Sequence, residues 1–332
     1  MIASKLQLIC RAATALIALT LTSVVYAQQF PTKPVTLMVP YPAGGLSDVV
    51  ARTVNTTLSK HLGQPVLVEN LGGASGGIAA QKVLGSPADG HIIFQGSPNE
   101  LIMAPLANAA IKYKSEDFRL VQMISVSPMA IFARKDLPVS NGDELLAYAR
   151  QAAADNKPLT YASVGPGSMY HLLGEHMSKI AGVPMTHVPY KGAAPAFQDL
   201  MAGMVDIFIT PYGKGQIALV DEGRLKVVAV LSTDRQDAFK KAPPLQESAA
   251  FKGFVFDIWT GYFVRKDTPE PVVRALNKAL SDVLADPGIR SSLEAQAMVV
   301  PRPLPLPALS KLYAENTEKY RAMARAMNLQ AQ

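Results

Sequence analysis

Cysteine is almost missing from this chain of 332 residues, and the one present, Cys10, lies in the N-terminal apolar stretch. Once that stretch is removed no disulfide can form, so an oxidising compartment neither helps nor harms the fold. Charge is sparse as well, at 17% of residues, and aromatics reach only 7%. The aromatic residues are scattered without a basic, aromatic-interleaved patch, which argues against RNA or DNA as a partner. No apolar run beyond the first 27 residues is long enough to cross a bilayer. What is plentiful is hydrophobic side chain, 49% of the sequence, enough for a globular protein with a large core and about two domains by length.

The first 27 residues stand apart. Lys5 and Arg11 precede an apolar run over 12–25, and Val25-Tyr26-Ala27 ends in a small residue suited to cleavage. This is the pattern of a secretory signal peptide, predicting cleavage after Ala27 and a periplasmic product. Arg11 follows Cys10 directly and the apolar run comes after both, so the cysteine is badly placed for a lipid anchor. Removing two basic and no acidic residues lowers the formal charge from +6 to +4, too little to imply a nucleic-acid partner.

The mature chain is organised around residues 35–48. Val35-Thr36-Leu37-Met38-Val39 is short and apolar enough for a buried strand, Pro40 and Pro42 stop it, and Gly44-Gly45 bares the backbone. From Leu46 the apolar spacing turns helical, with Ser47 and Asp48 in the first turn. A strand, a bare turn and a helix start form an anion site made of backbone amides. A second strand over 65–70 runs into Gly72 to Gly77 and a helix over 78–84. A third over 91–95 ends at Gly96-Ser97. Successive βα units imply a parallel sheet with helices on both faces, and ligands bind beyond the carboxyl ends of its strands.

Strands are predicted over 120–126 and 129–134, with Ser127-Pro128 between them as a crossover into a second lobe. There the same grammar recurs: a helix over 145–154, a strand over 159–163, the turn Val164-Gly165-Pro166-Gly167-Ser168, and a helix over 169–180. Strands over 185–189, 205–210, 225–231 and 258–264 follow, with a helix over 195–202. Further helices are expected over 271–284 and 308–327, joined by a proline-rich linker over 301–307. The division expected is 28–126 with 253–332 as one lobe and 127–252 as the other. Two glycine turns facing each other across a cleft suit a small molecule with negative groups.

Two motifs suggest other chemistry. Gly73-Ala74-Ser75-Gly76-Gly77 matches the G-x-S-x-G nucleophile elbow, so a secreted serine hydrolase using Ser75 is the alternative reading. Against it, no downstream Asp and His pair stands out, and Glu69-Asn70-Leu71-Gly72 makes a soft approach to the turn. His171 and His176 flank Glu175, but at five residues' separation they point about 140° apart on a helix and cannot share a metal. No metal or cofactor is expected.

Val39-Pro40-Tyr41-Pro42-Ala43-Gly44-Gly45-Leu46-Ser47-Asp48 resembles the signature loop of the Bug-type substrate-binding proteins of tripartite tricarboxylate transporters. Ser86-Pro87-Ala88-Asp89-Gly90, Gly165-Pro166-Gly167-Ser168, Pro189-Tyr190-Lys191-Gly192, Val205-Asp206 and Trp259-Thr260-Gly261 agree in order and spacing, so the resemblance spans the mature chain. It implies an α/β, two-lobe periplasmic binding fold (type II, Venus flytrap) with two crossover segments. It also implies a non-catalytic receptor that captures a di- or tricarboxylate or aromatic carboxylate and, as a monomer, delivers it to membrane transporter subunits or a sensor kinase.

Carried over by the resemblance, Tyr41, Ala43, Gly45 and Asp48 fall in the first-lobe site, and Ser168, His171, Tyr190 and Lys191 in the second. Gly44, Ser47, Ser97, Ser163, Gly167 and Thr210 complete the expected binding set. Family members that hold an amino group tend to have an aspartate where this chain has Thr210, which disfavours amino-acid ligands. The energetics do not require an arginine. Micromolar binding takes about 8 kcal/mol, and charge-assisted hydrogen bonds supply about 1.5–3 kcal/mol each. Several amides closing on a carboxylate from two lobes reach that sum, and one lobe alone does not.

Overall fold

The computed structural model describes residues 30–326. The expected signal peptide and its cleavage after Ala27 lie outside the described residues.

The chain opens with β1 (Val35–Val39), α1 (Leu46–Leu62) and β2 (Val66–Asn70). Four of β1's five side chains are buried, as a strand covered on both faces requires. Helix α1 buries Val50, Ala51, Val54 and Leu58, one stripe at helical spacing, and stops at Gly63, whose φ of 68° closes the helix left-handed. Burying each larger residue of that stripe contributes about 1.5–3 kcal/mol. Next come α2 (Gly77–Leu84) and β3 (Ile92–Gly96), then a single π-helical turn, Asn99–Met103, that continues into α3 (Ala104–Ala107). Neither the turn nor α3 was expected from the sequence, where Pro105 interrupts the helical pattern.

Strand β4 (Phe118–Arg134) is 17 residues long and belongs to both lobes. The prediction of two strands broken at Ser127-Pro128 is corrected here, because the backbone continues through the proline. Up to Pro128 the strand pairs antiparallel with β9 (Asp257–Arg265), and from Met129 onward with β7 (Ile207–Pro211) and β8 (Leu225–Val230). Pro128 sits where the partners change, so its missing N–H removes no necessary ladder bond.

The second lobe adds α4 (Gly142–Ala154), β5 (Thr160–Ser163), α5 (Met169–Ala181), β6 (Thr186–Pro189), α6 (Ala193–Met201) and α7 (Lys214–Asp221). After β8 the chain returns to β9, followed by α8 (Glu270–Ala285), α9 (Pro287–Glu294) and α10 (Leu306–Ala326). Helices α7 and α9 were also missed. α9 starts on an Asp286 side-chain cap with Pro287 in its first turn, a start signal hidden against the end of α8.

The nine strands of the described residues join one mixed sheet in the order β2-β1-β3-β9-β4-β7-β5-β6, with β8 also on β4. Within it β1 is parallel to β2 and β3, and β5 to β6 and β7. Half-buried Asp206 ties three second-lobe strands together. It accepts from Arg134 Nε and from the backbone N–H and hydroxyl of Thr160, each at 2.8 Å. The Val205-Asp206 motif is therefore a strand clamp.

Candidate functional site

The carboxyl ends of β1, β3 and β7, the middle of β4 at Ser127 and the start of α1 converge between the lobes. Two small adjoining cavities lie there, sharing Tyr41, Leu46, Ser47, Tyr170 and Pro211 as a common wall. The first reaches down to Gln95, Ser97, Glu100, Ser127 and Thr260. The second opens along Gly45, Ala193, Thr210 and Gln216. No Lys, Arg or His lines either cavity, and Glu100 is the one charged side chain among the described residues doing so.

The second cavity touches two helix starts, Gly45–Ser47 of α1 and Ala193 of α6. The first amides of a helix have no intrahelical partner and carry its positive end, so this cavity suits an anion. Asp48 does not compete for the ligand. Its carboxylate accepts from Gly44 N–H and from Arg52 Nε, both at 3.0 Å. Burial raises its pKa, but these bonds outweigh burial and hold it below the usual carboxylate range. Gly44 adopts φ +83°, the left-handed turn that lets its amide reach Asp48.

The floor of the first cavity is built on the π-helical turn. Glu100 is 1% exposed, and one of its carboxylate oxygens accepts from both Ser97 N–H and Ser97 Oγ at 2.7 Å. The other accepts from the Tyr41 hydroxyl, which in turn accepts from Asn99 Nδ2 at 2.6 Å. Burial pushes both the Glu100 carboxyl and the Tyr41 phenol above their ordinary values. Beside them Gln95 Nε2 donates to the Ser47 carbonyl at 2.7 Å, which fixes the orientation of that amide. Gln95 Oε1 is left buried with no hydrogen-bond partner.

Of the residues expected to bind, the structure brings Tyr41, Gly45, Ser47, Ser97 and Thr210 to the cavity walls. Ala43 and Gly44 face outward from the loop. Gly167 and Ser168 of the expected second-lobe anion site line neither cavity. The amide of Met169, at the start of α5, already donates to Asn99 Oδ1 of the first lobe at 2.7 Å, and Ser168 caps the same helix by accepting from His171 N–H.

The glycines of this turn serve close approach between the lobes. A Cβ on Gly167 would sit 2.2 Å from the Ala107 side chain, and one on Gly165 would sit 2.8 Å from Ser75 Oγ. In the same way Pro42 lies against Gly192, where a Cβ would come within 2.5 Å of Cδ.

His171 faces away from the cavities. Its Nδ1 accepts from Gly167 N–H at 3.1 Å, and its ring stacks on His187 with centroids 4.0 Å apart. Ser163 is sealed behind the site, 2.6 Å from His187 Nε2 and donating to the Gly165 carbonyl. Tyr190 donates to Asp199 at 2.8 Å, and Lys191 stands exposed at the rim.

Gln95, Asn99 and Glu100 escaped the sequence reading. A signal existed: Glu100 is a lone charge heading the apolar stretch Leu101 to Met103, where only a buried partnered acid fits.

The serine hydrolase alternative fails on the same geometry. Ser75 is 1% exposed, and its hydroxyl donates to the Pro166 carbonyl across the lobe boundary at 2.8 Å. A hydroxyl used in this way has no base to activate it and no access to substrate.

The chain resembles known proteins along most of its length. Residues 50–329 match the sequence profile described as tripartite tricarboxylate transporter family receptor. Protein BugT of Bordetella pertussis is 32% identical over 280 residues, covering 82% of each chain. The structure of MatC from Rhodopseudomonas palustris with bound malate is 30% identical. It has a TM-score of 0.81 and covers 88% of this chain and 98% of its own. An R. palustris protein solved with adipate is 28% identical, with a TM-score of 0.82, covering 91% of this chain and all of its own. With its two-lobe fold and a cleft that receives the start of α1, the chain belongs to the tripartite tricarboxylate transporter family receptors.

Proposed function

We infer that this protein is a periplasmic receptor that closes its two lobes over a small organic acid and presents the loaded form to the membrane components of a tripartite tricarboxylate transporter. The observation that carries this reading is the second cavity, walled by the starts of two helices and by no basic side chain. Backbone amides there hold a carboxylate with charge-assisted hydrogen bonds of about 1.5–3 kcal/mol each. The related structures with malate and adipate support a carboxylate as the ligand class.

The protein acts as a monomer and without catalysis. Its lobes are 28–126 with 253–332, and 127–252, with β4 as one crossing and the return from β8 to β9 as the other. The N-terminal 27 residues direct export. Isothermal titration calorimetry against a panel of mono-, di- and tricarboxylic acids tests the reading. At least one acid is expected to bind with micromolar or tighter affinity, whereas binding only of neutral sugars or cationic solutes would overturn it.

A further inference from the structure

The two cavities differ in what they offer a ligand. The second presents helix N–H groups, and the floor of the first presents acceptors. Gln95 Oε1 is buried without a donor, although its amide nitrogen is committed to Ser47. Glu100 lines the same cavity, where no Lys, Arg or His lies among the described residues, and its carboxyl group accepts from Ser97 and Tyr41. An orphaned buried carbonyl is destabilising until a donor reaches it. A ligand carboxylate placed there would stand against a second acid, and the two cannot both ionise without like-charge repulsion in a poorly screened site. Thr260 and Ser127 complete the wall with hydroxyls that adapt to either role.

We propose that Gln95 and Glu100 determine specificity: the preferred ligand carries one carboxylate for the helix starts and, at its far end, a hydrogen-bond donor in place of a second carboxylate. The donor is a hydroxyl, a carboxamide or an ammonium, all of which share the ability to satisfy Gln95 Oε1 and to stand against Glu100. This proposal rests on the reading of the protein as a carboxylate receptor and narrows it. It also reverses the expectation, drawn from Thr210, that amino groups are disfavoured. Thr210 lies in the anion cavity, away from Glu100.

The test is a matched series on the unmodified mature protein: succinate, succinamate, γ-hydroxybutyrate and γ-aminobutyrate, with the homologous series one and two methylenes longer. At one chain length or more, a donor-ended acid should bind at least about tenfold more tightly than the dicarboxylate of the same skeleton. The differences among hydroxyl, amide and ammonium arms identify the donor. In Glu100→Gln the preference should shrink by about tenfold or more, because the like-charge term is gone.

Tighter binding of the dicarboxylates to the unmodified protein would overturn the proposal while leaving the receptor reading intact. An unchanged preference in folded Glu100→Gln would remove Glu100 from it. Binding of no acid to the unmodified protein would overturn both.

Discussion

Single side chains in this protein are tuned by what encloses them, and His187 shows it most clearly. Burial pushes its pKa down to about 4, with the stacked His171 ring adding to the shift. His171 is lowered by burial as well, partly offset by Glu175. Tyr161 and Ser163 are the other groups against the His187 ring. In the unfolded chain a histidine binds its proton near pH 6.5. The unfolded state therefore holds more protons between about pH 6.5 and 4, and the stability from the neutral ring is complete above that window and lost as pH falls through it. Melting temperature measured against pH should decline across this range, and His187→Gln should flatten the decline. A profile identical to the unmodified protein's would show that the ring titrates no differently when folded.

At this scale the sequence was partly legible. The loop from Tyr41 to Asp48 announces itself through prolines and glycines, whose effects are local. Asn99 and Glu100 do not, because their roles depend on Tyr41 and on Met169, 58 and 70 residues away in sequence.

Whole elements were easier to foresee, since β1, α1, β3, α5 and α8 follow from apolar spacing alone. What spacing cannot reveal is why a glycine is bare. The sequence suggests anion binding at every glycine turn, whereas Gly165 and Gly167 take φ of +129° and +74° and, like Gly192, have the other lobe within touching distance. The turn between β6 and α6 can be tested directly. Gly192 has extended backbone with φ 173°, so a side chain there brings no backbone strain and its only effect is the collision with Pro42. Gly192→Val should weaken binding of the best acid by at least about tenfold, or about 1.4 kcal/mol, and abolish ligand-induced compaction in small-angle scattering. Full affinity with normal compaction would show that Pro42 and Gly192 need not meet.

For the molecule as a whole, the shared strand matters most. Because β4 spans both lobes, one apolar cluster runs from Met38 and Phe94 in the first to Phe132 and Phe208 in the second. Neither lobe can lose its sheet without exposing part of the other's core. Scanning calorimetry should therefore record one cooperative transition, moved upward by ligand as mass action requires. Two resolved transitions would show that the lobes unfold independently. The two-lobe architecture was legible from the repeated βα grammar. The continuity through Pro128 was not, because a proline in a strand ordinarily marks an edge or an end.

Asn99 and Glu100 are neighbours in the chain, yet one fastens the start of α5 across the cleft and the other stands in the cavity floor. If the lobes close over cargo, as the proposed function has it, this single turn links occupancy to closure, and that coupling runs in both directions with equal strength. A transporter component that grips the separated lobes lowers the affinity for cargo by the same factor that cargo lowers its grip. Unloading then needs no chemistry and no chemical fuel at the receptor, only a docking surface that favours the open shape.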